Sequence, residues 1–331
     1  MPYSGHKRPI AGLKEVASAG RIPAPEQMKK KLIDYCKSIN IDLTGIVAAE
    51  PFTDFEKAWR RQVERGFISG FEEKDIARRV NPFLTLESAK SIIVCLFPYF
   101  TGDACETPSN RINLSKSAWS IDYHIIVKQK LEMIALFLKQ HIDNFEYKCF
   151  VDNGPFSDRY LAWRAGLGFW GINNCIITDR YGSYVFIGYI INNYPFEPDK
   201  PRERTCLQCF NCVKACPGSC IPGDFTINPQ RCKSYITQKK GPLSPLDVEI
   251  LKKTNLIWGC DVCQEVCPHN KNIERTSLAE FLRDLKFGFE YNELKQVSNR
   301  EFLKLYRNRS FSWRGKGVLL RNYEIINEKC K

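Results

Sequence analysis

Residues 206–268 constrain this chain more than any other stretch. They open with Cys206, Cys209, Cys212 and Cys216, followed at once by Pro217. They close with Cys260, Cys263 and Cys267, followed by Pro268, and Cys232 stands between the two runs. The first run reads C-x2-C-x2-C-x3-C-P, the spacing of bacterial ferredoxins. Two intervening residues let one tight turn aim several thiolates at one cluster, while the fourth cysteine, a helical turn further on, ligates the other cluster. The second run is one cysteine short of a repeat, and Cys232 is the natural replacement. The residues therefore predict two [4Fe–4S] clusters, one on Cys206, Cys209, Cys212 and Cys267, the other on Cys216, Cys232, Cys260 and Cys263. Zinc sites also use C-x2-C pairs, but they rarely need eight cysteines with a C-P ending each run. Disulfide frameworks belong to small secreted chains, and this chain has 331 residues. Two clusters within hopping distance form an electron path, so the functional question is what lies at its end.

The remaining cysteines of the 15 are Cys36, Cys95, Cys105, Cys149, Cys175, Cys220 and Cys330. Their scatter predicts reduced, mostly structural thiols in a reducing compartment. The N-terminus lacks an apolar core of signal-peptide length, and no run of about 18 apolar residues occurs. The expected location is cytoplasmic, with no membrane contact. A net charge of +12 favours a polyanionic partner such as nucleic acid, an anionic membrane or an acidic protein. A diffusely basic, solvated surface is the plain alternative.

Residues 1–25 read as an irregular arm, 26–40 as a helix and 43–49 as a strand. A helix is expected from Thr53 to Gly66, with Thr53 as N-cap and Glu56 completing a capping box. Ser91–Phe97 reads as a buried strand, 98–117 as a polar loop and Trp119–His141 as a long amphipathic helix. Phe145–Val151 is a strand, 157–165 a short helix, and 175–178 and 183–191 are strands. This alternation predicts an α/β domain with a central sheet over 1–196. A charged, Pro-containing linker then opens a ferredoxin-like module over 197–276. The tail, 277–331, is expected to be helical. From Arg300 to Lys331 it holds nine Lys or Arg against three Glu.

Three further stretches invite a chemical reading. In VDNGPF, 151–156, Asp152 ends a strand at a Gly-Pro turn. It either presents a carboxylate at a ligand-binding sheet edge or merely caps the turn. The glycines of AGLGFWG, 165–171, permit close approach of a bulky ligand or make a tight helix-to-strand turn; they are not a dinucleotide fingerprint. His124, early in the long helix, is a ligand, an acid or simply structural. No H-E-x-x-H, P-loop or nucleophile elbow is present.

VDNGP, RAGLGFWGINN, DRYGSYVFIGYI, RCKSYIT and GCDVCQEVCPHN, in that order, resemble the epoxyqueuosine reductase family. DYH and NPFLTLESAKSIIV upstream resemble it too, so the likeness spans about residues 26–325. The resemblance implies cobalamin beside the two [4Fe–4S] clusters and, as partner and substrate, tRNA bound at its anticodon loop. The reaction it implies is reduction of the epoxide of epoxyqueuosine to the alkene of queuosine. The implied fold is a cobalamin-binding α/β domain, a ferredoxin-like domain and a helical C-terminal part. The family's proton donor falls on Asp152, whose carboxyl would serve as an acid if burial against the corrin raised its pKa. Arg79, Ser115, Tyr123, His124 and Asn174 fall in the implied cofactor region, and Trp119 or Trp170 is a candidate stacking partner for an unstacked base. Three departures stand out. Asn153 follows the aspartate where Thr is usual, GINNCII replaces a G-K-x-T-N-type stretch, and the chain stops where many members continue into a helical-repeat tail. Two other functions remain open: a dehalogenase-like reductase of a small molecule, and a plain two-cluster electron carrier. A monomer with an unidentified low-potential electron donor is expected.

Overall fold

The computed structural model describes residues 24–103 and 111–328; residues 1–23 of the N-terminal arm, Cys105 and Cys330 lie outside them. The first half carries helices α1 (Pro25–Ser38), α2 (Thr53–Glu64), α3 (Ile76–Val80), α4 (Tyr123–Lys139) and α5 (Asp158–Arg164). Its strands are β1 (Leu43–Ala48), β2 (Ser91–Pro98), β3 (Arg111–Leu114), β4 (Tyr147–Val151), β5 (Phe169–Trp170), β6 (Ile176–Ile177) and β7 (Val185–Asn192).

Strands β1-β2-β7-β4 form one sheet in that order, and every neighbouring pair is antiparallel. All eight residues of β2 are buried, because both sheet faces are covered. Alternate residues of a strand point to opposite faces. Ile93, Cys95, Phe97 and Ile190 therefore meet α1 and α4 through Met28, Leu32, Val127 and Leu131. Ile92, Val94, Tyr189 and Ile191 meet α5 and the α2 approach through Leu161, Tyr160 and Phe52.

The antiparallel order changes the reason for Asp152's position. It follows β4 at the sheet's edge, not at a switch point of a parallel sheet. The capping box at Thr53 is absent as well: Phe52 is the N-cap and makes no side-chain cap bond, while Glu56 accepts from Arg60 at 2.6 Å. The glycines of 165–171 serve the tight turn. Gly166 lies at φ 66°, and a Cβ on Gly168 would stand 2.7 Å from the Ile177 carbonyl oxygen across the β5–β6 hairpin.

The second half adds α6 (Asn211–Ala215), α7 (Lys233–Ile236), α8 (Pro245–Lys252), α9 (Val262–Glu265), α10 (Tyr291–Lys295), α11 (Asn299–Tyr306) and α12 (Lys316–Asn327), with strands β8 (Leu256–Trp258) and β9 (Gly288–Glu290). Packing does not follow the expected division at 196 and 276. One three-stranded sheet, β8-β3-β9, takes a strand from each of the three expected segments. One core joins Ile112 and Trp119 to Ile250 and Trp258 of the cysteine module and to Phe289, Phe302, Phe311, Leu319 and Tyr323 of the tail. No helix among the described residues is long and apolar enough to cross a membrane.

Candidate functional site

The aspartate of VDNGPF sits in an exposed turn with φ 58°, left-handed backbone that a non-glycine residue seldom adopts without a reason. Helix α4 starts beside it, with Asp122 as N-cap accepting from the His124 amide. That start sends two side chains to Asp152. The Tyr123 hydroxyl donates to Asp152 Oδ2 at 2.8 Å. His124 Nε2 lies 3.4 Å from the same oxygen, an ion-pair contact without hydrogen-bond alignment. His124 Nδ1 contacts Asp122 Oδ1 at 2.7 Å.

Burial pulls the His124 imidazole down, but its contacts with Asp122 and Asp152 prevail and raise it from 6.5 to about 9. Burial also pushes the Asp152 carboxyl up, yet His124 and Tyr123 outweigh it and hold the group below the usual carboxylate range. Without a corrin against it, the Asp152 side chain keeps 57% of its surface exposed, and two donors converge on it; the rise expected from the sequence concerns the corrin-covered carboxyl. At neutral pH the pair is thus imidazolium and carboxylate, and the proton resides on His124. Tyr123 stays a phenol, since burial and then Asp152 push its pKa well up.

Arg79, Asp158 and Arg159 extend this constellation. Arg79 is buried, stacks over Trp59 at 4.1 Å and reaches the Pro155 carbonyl at 3.5 Å. Burial and then the neighbouring Asp152 push the Asp158 carboxyl well up. Arg159 donates to the Asn174 carbonyl at 2.7 Å, and the Asn174 side chain donates onward to the Phe225 carbonyl at 2.7 Å. Asn174 lines a cleft of about 690 Å³ with Tyr160, Trp163, Trp170, Arg61 and Arg65, a size suited to a large ligand. Asp122, Asp158 and Arg159 were not legible in the sequence; the acid in DYH and the DR after the VDNGPF turn were the only signals.

Ser115 stands elsewhere. Its hydroxyl donates to Asp261 Oδ1 at 2.9 Å, so it braces the loop between Cys260 and Cys263. Asp261 also accepts from the Lys116 amide at 2.7 Å, and burial pushes its carboxyl up to about 6. Of the two proposed stacking tryptophans, Trp119 is excluded from that role. It is buried, donates to the Leu114 carbonyl at 2.9 Å and packs edge-on against Phe287.

The described cysteines of the module gather around two places. Cys206, Cys209, Cys212 and Cys267 line one small cavity together. Cys232 lies near Cys216, Cys260 and Cys263, and also near Cys175 and Cys220. Among the described residues no three His, Cys, Asp or Glu side chains converge tightly enough for a single ion. The first set, spread around one cavity, suits a cluster, whose several irons separate its ligands. Two further thiols, read from the sequence as structural, lie against the second group. Cys220 Sγ is 3.3 Å from Cys216 Sγ, and Cys175 hydrogen-bonds with Cys263.

A corrin also fits the residues present. Buried Arg79 Nε, His124 Nε2 and Asp158 Oδ1 lack aligned hydrogen-bond partners in the protein, and all belong to the Asp152 constellation. Unpaired buried polar atoms call for ligand partners, which the amide side chains of a corrin provide.

Two family models match: "Epoxyqueuosine reductase QueG, DUF1730" over residues 79–153 and "4Fe-4S double cluster binding domain" over residues 205–270. The epoxyqueuosine reductase of Bacillus subtilis (strain 168) is 39% identical over 301 residues, covering 89% of this chain and 78% of that protein. A crystal structure of epoxyqueuosine reductase with an epoxyqueuosine-modified tRNA-Tyr stem loop is 38% identical. It superposes with a TM-score of 0.86, over 92% of this chain and 82% of that one. A Bacillus subtilis structure whose catalytic aspartate loop is swung out of the active site is 36% identical, with a TM-score of 0.82 and the same coverage. With its double-cluster module, the chain belongs to the epoxyqueuosine reductase family.

Proposed function

We propose that this protein reduces epoxyqueuosine to queuosine in tRNA, using two [4Fe–4S] clusters, cobalamin and a proton delivered through Asp152. The observation that carries the reading is the Asp152–His124–Tyr123 constellation in a chain of this family. Loss of the epoxide oxygen as water needs two electrons and two protons and leaves an alkene. Bound cobalamin supplies low-potential electron chemistry at carbon that no side chain can provide.

The chain's own residues supply the rest. The two cysteine sets hold the clusters that bring electrons in. Arg79, Asp158 and the Asn174 cleft would hold the corrin. His124 stores a proton at Nε2, facing Asp152 Oδ2. As charge develops on the departing oxygen, that proton passes through Asp152 Oδ2 to it; solvent reprotonates His124, and a second passage by the same route supplies the second proton that lets the oxygen leave as water. Tyr123 fixes the carboxylate's orientation. The left-handed turn at Asp152 lets the carboxylate reach outward to the substrate. An external low-potential donor reloads the clusters, and the enzyme acts as a cytoplasmic monomer.

The test is anaerobic turnover of protein reconstituted with iron, sulfide and cobalamin, given a low-potential reductant and tRNA carrying epoxyqueuosine. Nucleoside mass spectrometry should show loss of one oxygen, dependent on cobalamin. Asp152→Asn should keep iron content and corrin absorbance while turnover falls about 100-fold or more, the scale of a lost general acid. Absence of conversion by fully loaded wild-type protein would overturn the substrate assignment; normal turnover by Asp152→Asn would remove Asp152 as the donor.

A further inference from the structure

An exposed aromatic ledge takes no part in the chemistry above. Trp313 is 53% exposed and Phe71 48%. Their rings meet edge-on at 6.0 Å, and Tyr235 closes the group 5.4 Å from Phe71. The Arg314 guanidinium lies 3.6 Å over the Trp313 ring and 5.6 Å from Phe71. Arg314 has a buried Nε with no partner and, among the described residues, no ion-paired carboxylate.

Three arms of the fold build the ledge, and each leads back to the reaction centre. Phe71 precedes Glu72, whose charge acts on Arg79. Tyr235 lies in α7, three residues after Cys232. Trp313 follows a segment anchored at the start of α4, where the Asp122 amide donates to the Asn308 carbonyl at 2.8 Å and Arg309 donates to the Trp119 carbonyl at 3.0 Å. The same segment, 300–316, has six Lys or Arg against one Glu. Arg300, Lys304 and Arg307 are exposed.

We infer that Trp313, backed by Arg314 and flanked by Phe71, is a stacking platform for an unpaired nucleobase of the RNA substrate, next to the nucleotide that enters the Asp152 site. The inference deepens the reading of an RNA substrate and rests on it. An exposed indole with one face held against an unpaired cation offers a flat, polarised surface. A neutral apolar protein partner would have to bury that cation. An RNA loop supplies both a base to stack and phosphates for the exposed Arg300, Lys304 and Arg307. The ledge reads no base edge, so it positions the loop without selecting its sequence.

The experiment uses the full, cluster-loaded chain and synthetic anticodon stem-loop RNAs carrying 2-aminopurine at successive loop positions. Wild-type protein should quench the fluorescence at one position beyond the others. Trp313→Phe should keep that quenching. Trp313→Ala, and Trp313→Leu as the variant that preserves apolar packing, should abolish it and weaken binding by about 5- to 100-fold. Their salt dependence should stay unchanged because the same phosphates remain neutralised. Iron content and cluster absorbance equal to wild type establish that the variants are folded. Quenching and affinity unaltered in both variants would overturn the ledge and leave the substrate reading standing. Failure of the wild type to bind any stem-loop would overturn both.

Discussion

At the scale of single residues, the site depends on where one proton sits. With the imidazole at about 9, His124 is charged below that pH and neutral above it. Single-turnover rates should therefore hold through neutral pH and fall as pH rises through about 9. Asp122→Asn keeps an N-cap for α4 but removes the charge that helps hold the proton, so the falling limb should move down towards 6.5, the ordinary histidine value. A pH–rate profile of the two proteins checks this; coincident limbs would show that His124 is not the store. The cysteines offer a second prediction. Cys220 stands 3.3 Å from Cys216 and hydrogen-bonds with Cys232, so it is placed to replace Cys232 as a ligand. The Cys220→Ala/Cys232→Ala double variant should drop from about eight irons per chain to about four, by iron analysis and cluster absorbance. An undiminished count would remove Cys232 from the ligand set.

At the scale of elements, the C-terminal helices are structural members of the cluster module. Asn322 of α12 is fully buried and donates at 2.9 Å to two carbonyls, Thr237 after α7 and Ile257 in β8. Asn322→Leu would orphan both acceptors, at about 1–3 kcal/mol each. Denaturant unfolding of the loaded protein should show a destabilisation of about 2–6 kcal/mol, with slower recovery of clusters on reconstitution. The expected helices and strands mostly exist because their apolar spacing is local: α1, α2, α4, β2 and β7 fall close to where periodicity put them. Antiparallel pairing was not legible, since a buried apolar strand such as β2 reads the same in either sense. The capping signal at Thr53 was overridden because Phe52 is drawn into the core against Phe156 and Tyr160.

At the scale of the whole molecule, the basic tail is part of the core. Phe302, Phe311, Leu319 and Tyr323 belong to the core shared with the cysteine module, so removing everything after Arg300 would destroy packing along with any RNA binding by the tail. Charge is the cleaner handle. Affinity for tRNA should fall steeply with salt, and replacing exposed Arg300, Lys304 and Arg307 with Gln should flatten the log–log slope by about 0.7 to 0.9 for each phosphate no longer neutralised. An unchanged slope would place the RNA on another face.

The sequence by itself determined the double-cluster module, because cysteines two and three residues apart share one turn whatever surrounds them. Cys232 was reached by counting. It also marked Asp152 and His124, through short motifs that survive without their context. Only the tertiary structure decided that these two meet across α4 and the β4 turn, that Asp122 makes the imidazole the proton's home, and that Trp119 is walled in while Trp313 is free. Those outcomes depend on residues far apart in the chain, such as Phe71 and Trp313, coming together. Packing and burial bring them together, and spacing along the chain does not record it.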